Sequence, residues 1–303
     1  MKDINNARSR LAGPAVKSLL SLLRRTTFLQ DTDLAQIMTD NTERLLNLPG
    51  SLPFFATDVT DLNRVTELLK RLHPVSAGHA LVRLGSDGDG GYLVPDDLNG
   101  ISACFSPGVS DVTDFELDCA NRGMKVFMAD ASVNGPPVNH SQFCFTRRFI
   151  GGRTSGEFVT LPDWVHETVG GESDLLLQMD IEGAEYEAIL ATPSSVLKRF
   201  RIVVVEFHFL DRLFCAPLFP LYEQVFDKLL RTHQCVHIHP NNVCGTIRVR
   251  SLEMLQMAEF TFLRKDRICE SSFATRFPHP LDRDNTSKPT VVLPTPFYRC
   301  TSA

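Results

Sequence analysis

From residue 75 onward the chain alternates short apolar runs with amphipathic stretches, two periods that read as strands and helices in turn. The strand-like runs are "ISACFS", "KVFMAD", "DLLLQMD", "FRIVVVEFH", "CVHIH" and "EFTFLRK". Between them, residues 113–122, 183–191 and 218–232 carry apolar positions at helical spacing. Strand and helix in alternation imply crossover connections and a mainly parallel, doubly wound sheet, so the fold class is α/β and Rossmann-like. Upstream, "DTDLAQIMTDNTERLLNL" and "TDLNRVTELLKRL" begin with capping residues, at Asp31 or Thr32 and at Thr60 or Asp61. They predict a helical N-terminal extension over residues 1–75. The Rossmann-like domain then covers 76–265, and 266–303, rich in Pro, Arg and Asp, is a tail that either wraps the domain or hangs loose.

The polar residues that end these apolar runs carry the chemistry. Asp180 closes "LLLQMD", at the strand edge where open α/β sheets bind ligands. Glu182 and Glu185 follow at a helix start, where the helix dipole favours negative charge, and need no further role. Glu206 and His208 end the next apolar run two residues apart and share a face, as do His237 and His239 on the one after. Neighbouring strands would bring Asp180, Glu206, His208 and His239 to one rim. Burying unpaired charges is costly, so the rim is either a divalent metal site or a metal-free cluster of acids and bases. Carboxylates and water suit Mg²⁺, and imidazole moves the preference toward Mn²⁺.

A second constellation lies in "CFSPGVSDVTDFELDCANRGMKVFMADAS", where Asp130 stands 22 residues past Gly108. An acid about 20 residues beyond a glycine turn is the spacing that holds a nucleoside ribose in a βαβ unit. Pro107 has no N–H, and two of the three dinucleotide glycines are missing, which counts against a pyrophosphate and so against NAD. S-adenosylmethionine has a ribose and no phosphate, so one glycine suffices. Thr113 and Glu116 have capping-box spacing, which gives Glu116 helix initiation as its alternative to a ligand contact.

"LLLQMDIEGAEYEAIL" preceded by "FVTLPDWV", and "VHIHPNN" followed by "AEFTFLRK", resemble the FkbM-type S-adenosylmethionine-dependent methyltransferases. "LVRLGSDGDGGYLVPDDL" and "FPHPLDRDN" extend the likeness over about residues 80–290. The resemblance implies an O-methyltransferase acting on a sugar, glycan or secondary-metabolite hydroxyl. By position it puts Ser106, Gly108 and Asp130 at the cofactor and Asp180 at the active-site mouth. His208 or His239 would then serve as general base, since a hydroxyl is a poor nucleophile until its proton is removed. "GSDGDGGY" lacks the Lys-Ser/Thr of a P-loop, and Tyr92 stands where an EF-hand turn requires glycine. It reads as a tight turn between strands "ALVRL" and "GYLVP", or as a loop at the cofactor mouth.

Composition narrows the alternatives. The chain has 303 residues and a net charge of −5, with no basic stripe, which argues against a nucleic-acid partner. Eight cysteines without a C-x-x-C pair spell neither a zinc ribbon nor a redox motif and point to a cytoplasmic protein. Residues 14–28 are basic and apolar at helical spacing. They form either a peripheral membrane contact or a helix packed on the body or on a second subunit of a homo-oligomer, the latter being the commoner fate of such patterns. The rival functions are an NAD-dependent oxidoreductase and a non-catalytic, membrane-associated adaptor.

Overall fold

The computed structural model describes residues 58–299, and all but 248–252 of these belong to one compact unit. The predicted segments 14–28 and 31–48 lie outside the described residues. Seven strands form the central sheet: β1 (Ala103–Pro107), β2 (Lys125–Ala129), β3 (Phe143–Thr146), β4 (Leu175–Met179), β5 (Phe200–Phe207), β6 (His233–Pro240) and β7 (Ala258–Arg264). Their order across the sheet is 3-2-1-4-5-7-6. All neighbours are parallel except β7, which runs antiparallel between β5 and β6. The fold is therefore α/β and Rossmann-like.

Helices α1 (Leu62–Arg71), α2 (Asp114–Asn121), α3 (Leu161–Thr168), α4 (Glu185–Ala191), α5 (Ser194–Leu197) and α6 (Phe219–Thr232) accompany the sheet. Asp61 caps α1 by accepting from the Asn63 amide at 2.9 Å. Thr160 caps α3 through the Asp163 amide at 3.2 Å. The apolar stripe of α6, with Tyr222, Val225, Phe226 and Leu229 buried, explains its helical spacing. Every residue of β4 and β5 is buried, as expected of strands covered on both faces.

The short elements outside the expected set include the half-buried edge strand β3, a two-strand parallel pair at Phe149–Gly151 and Phe158–Thr160, and helix α3. Each is short, below the length at which periodicity speaks. The hairpin of Leu81–Leu84 with Tyr92–Pro95 forms as the turn chemistry of "GSDGDGGY" predicts.

The two ends of the central strands differ in character. At the edge where β4 and β5 begin, Arg201 is nearly fully buried and holds two acids and two carbonyls. Its Nη2 pairs with Asp174 Oδ2 at 2.7 Å, and its Nη1 donates to the carbonyls of Asp97 (2.8 Å) and Asn99 (2.7 Å). Arg267 closes on Asp97 with a forked pair at 2.7 and 2.6 Å. At the opposite edge the chain leaves β1 toward β3 on one side and returns to β4 on the other. That reversal opens a crevice between β1 and β4 at their carboxyl ends.

Candidate functional site

The crevice depends on a glycine. Just past β1, Gly108 has φ +90° and donates its amide to the Ala129 carbonyl at 3.1 Å. A Cβ placed on it would lie 1.7 Å from the Asp180 carbonyl oxygen, so the two strand exits touch through a position that only hydrogen can fill. Asp130 ties the same turn to the end of β2. Its Oδ2 accepts from the Val109 amide (3.0 Å), and its Oδ1 from the Ser132 amide (2.7 Å) and hydroxyl (2.6 Å). Gly108, Val109, Asp130, Asp180 and Glu182 line an open cleft of ≈ 500 Å³ whose apolar side is Phe149, Ile150 and Phe158. Gly108→Ala should cost about 2–4 kcal/mol, a left-handed Ala added to an overpacked contact. Urea unfolding measures it; a loss under about 0.5 kcal/mol would mean that the strand exits can separate freely.

Beside the cleft, residues 181–184 make a strained turn. Glu182 takes φ 58°, uncommon for a non-glycine residue, and Gly183 takes φ 103°. The turn is held from beneath by Glu185. Although it opens α4, its side chain is 0 % exposed, and Oε1 accepts from the amides of Ile181 (3.1 Å) and Gly183 (3.0 Å). The same oxygen lies 3.1 Å from His208 Nδ1. A carboxylate can only accept, so Nδ1 carries the proton and Nε2 presents its lone pair. The Tyr186 hydroxyl donates to the His208 carbonyl at 2.7 Å and fixes the backbone of the imidazole.

His208 Nε2 faces three more acids: Glu182 Oε2 at 3.4 Å, Asp180 Oδ1 at 3.9 Å and Glu206 Oε1 at 4.0 Å. Burial opposes its charged form, but the Glu185 hydrogen bond and the charges of Glu185, Asp180 and Glu182 outweigh burial, and the His208 pKa is raised. Burial also raises Asp180, to about 6, with His208 opposing and Glu182, Glu185 and Asp89 adding to the rise. Asp180 Oδ1 is buried without a hydrogen-bond partner. Among the described residues, Asp180, Glu182 and His208 are the one group whose ligating atoms all lie within 4.8 Å of one another.

The structure thus brings Asp180, Glu206 and His208 together at one rim and turns two expected residues elsewhere. His239 lies with Asp282, Nδ1 3.5 Å from its Oδ1, and is outside the group that could ligate an ion with Asp180. His237 shares that acid at 2.8 Å. The reason is the tail, which lays Asp282 against β6. Ser106 is fully buried and points away from the cleft, its hydroxyl donating to Gln178 Oε1 at 2.6 Å and lying against Glu116. Glu116 is accordingly engaged with Ser106, and Thr113 makes no side-chain cap on α2, so the capping box does not form. Glu185, whose oxygen holds both the turn and the imidazole, is the side chain that the helix-start reading passed over. The sequence signal was available: Gly183 between two acids marks a turn whose free amides need an acceptor.

Residues 107–235 match the family model described as the methyltransferase FkbM domain. The match runs from the end of β1, through the cleft acids Asp130, Asp180 and Glu182 and the Glu185–His208 pair, to the start of β6. No curated protein matches the chain. Among the described residues no helix is long and apolar enough to cross a membrane.

Proposed function

Taking as premise that residues 107–235 are an FkbM-type methyltransferase domain, we propose that the protein is an S-adenosylmethionine-dependent O-methyltransferase acting on a hydroxyl of a sugar, glycan or secondary-metabolite acceptor. The observation that carries the reading is the Glu185–His208 pair, whose open Nε2 stands beside a cleft built from Gly108, Asp130 and Asp180.

The cleft residues fit the cofactor. Gly108 lines the cleft, and its lack of a side chain lets the β1 exit sit against the Asp180 carbonyl at the cleft wall. Asp130 has three of its roughly four lone-pair positions taken by Val109 and Ser132, which leaves one on Oδ2 for a ribose hydroxyl. Ser106, turned inward, takes no part. When bound, S-adenosylmethionine supplies an electrophilic methyl carbon. His208 Nε2 accepts the acceptor's hydroxyl proton, and Glu185 stabilises the imidazolium that results. Asp180 Oδ1, unpartnered, offers the acceptor hydroxyl an orienting contact from the other side of the rim.

A second reading has its own support in the 4.8 Å grouping of Asp180, Glu182 and His208. Two carboxylates and an imidazole suit Mn²⁺ better than Mg²⁺, and either ion would acidify the hydroxyl directly. In that case His208 is a ligand and cannot also be the base.

Calorimetry separates these possibilities. S-adenosylmethionine and its demethylated product should give saturable heat and NAD none. Asp130→Ala should weaken binding by about 1.5–3 kcal/mol, the range for a charge-assisted hydrogen bond. Saturable heat from NAD with none from S-adenosylmethionine sinks the methyltransferase reading. Titration with Mn²⁺ then decides the second point: binding that Asp180→Asn removes establishes the metal site, and no binding leaves the Glu185–His208 base.

A further inference from the structure

Beyond His208 the same sheet edge carries acids that methyl transfer leaves unused. Glu206 on β5 stands directly opposite Glu259 on β7, and Glu259 opposite His239 on β6. Opposed residues of antiparallel strands project from one face with Cβ atoms about 5 Å apart, so the three form a row. Met179 pairs with Val205, which sets Asp180 level with Glu206 and makes the row continuous with the rim. Glu206 and Glu259 are each 4 % exposed and His239 7 %.

The row is short of counter-charge. Glu206 Oε1 accepts from Asn241 Nδ2 at 2.9 Å, and Glu259 Oε1 from Asn285 Nδ2 at 2.7 Å. The same Asn285 nitrogen reaches Asp89 Oδ1 at 3.1 Å, so one NH₂ group bridges an acid of the hairpin loop and an acid of the sheet. Arg83, the nearest guanidinium, donates to the Ser86 and Gly88 carbonyls instead. Burial lifts Glu259 to about 7, with His239, the Asn285 hydrogen bond and Arg83 opposing the rise.

Two further atoms ask for a ligand. His239 faces Asp282 through Nδ1 at 3.5 Å, but its buried Nε2 has no hydrogen-bond partner, and Asn285 Oδ1 is buried without a donor. Leaving such groups unsatisfied is costly, and a molecule with both N–H and O–H groups would satisfy them.

We propose that Asp89, Glu259 and His239 form a subsite for a protonated amine flanked by hydroxyls, as in an amino alcohol or amino sugar. It is the far end of the acceptor site, and this assignment rests on the methyltransferase reading. The ammonium takes the place that the Asn285 amide holds between Asp89 and Glu259, and an adjacent hydroxyl reaches His239. Acceptors carrying carboxylate or phosphate at that position are rejected by the same acids.

The test uses the full-length protein, with and without the demethylated cofactor product, titrated by calorimetry with glucosamine and with N-acetylglucosamine. Glucosamine should bind with saturable heat, at least about tenfold tighter than its uncharged counterpart, the worth of one charge-assisted contact. Glu259→Gln should remove that preference and leave affinity for the cofactor product unchanged. Asp89→Asn, on the exposed hairpin loop, should do the same if the buried variant fails to fold. Equal binding of the two sugars, binding of neither, or a preference that survives both substitutions overturns the proposal. Failure of the methyltransferase reading shows itself separately, as absence of heat from the cofactor product.

Discussion

His208→Ala lowers methyl transfer by about 10²- to 10⁴-fold, the range a positioned general base supplies, and leaves cofactor affinity nearly unchanged. On the proposed mechanism the histidine meets the acceptor hydroxyl and not the adenosine, so the loss should fall on turnover. Its pH dependence carries a sign. The base is active when neutral, and the acids around it raise its pKa above the ordinary 6.5, so wild-type activity climbs as pH rises through a value above 6.5. Glu185→Gln removes the hydrogen-bonded charge that holds this value up and should move the limb to lower pH. A rate profile for acceptor methylation, measured on the wild type and both variants, checks all three statements. Full activity of His208→Ala would defeat the base and the metal readings together.

Arg201→Ala should destabilise the fold by about 2–4 kcal/mol, the cost of removing a buried donor from two carbonyls and weakening the pairing of two acids. The carbonyls of Asp97 and Asn99 lose a donor, and the Asp174 and Asp97 carboxylates keep only Arg264 and Arg267. Arg201→Lys should recover only part of this, because an ammonium cannot reproduce the fork. Burial alone would raise the two acids, but Arg267 on Asp97 and Arg264 on Asp174, with Arg201 adding to both, depress them below 3.8, so their contribution is complete above 3.8 and fades as pH falls through the folded values. The wild-type advantage in urea midpoint should therefore be full at neutral pH and shrink in acid below that point. A loss under about 1 kcal/mol would rank the network with ordinary surface pairs. Cofactor binding, at the other edge of the sheet, should not respond.

The strands that carry the site were legible because each is a continuous apolar run ending in a polar residue. That pattern placed Asp180, Glu206 and His208 on adjacent strand ends. Where the pattern is uniform it says nothing about direction. Every residue of β1 is buried, so alternation could not tell which face Ser106 takes, and it faces Glu116. His239 lies on the same face as His237, as the period-two spacing required, yet Asp282 holds both from more than 40 positions away along the chain. No local window contains that information. Glu185 escaped for a different reason: a helix-start acid is ordinary, and only the folded turn shows its oxygen serving two amides and an imidazole.

The antiparallel placement of β7 has a bearing on how the chain is made. Strand β5 finds its outer partner only after 258–264 has left the ribosome, with α6 and β6 already synthesised. Until then the eight residues Phe200–Phe207, as long as any strand of the sheet, have an open side. Such an edge is a template for pairing with another chain, and long-range closures of this kind are slow. The interval between synthesis of β5 and arrival of β7 is thus the stage at which this protein is most exposed to aggregation, and its half-formed sheet is the surface a holding chaperone would cover.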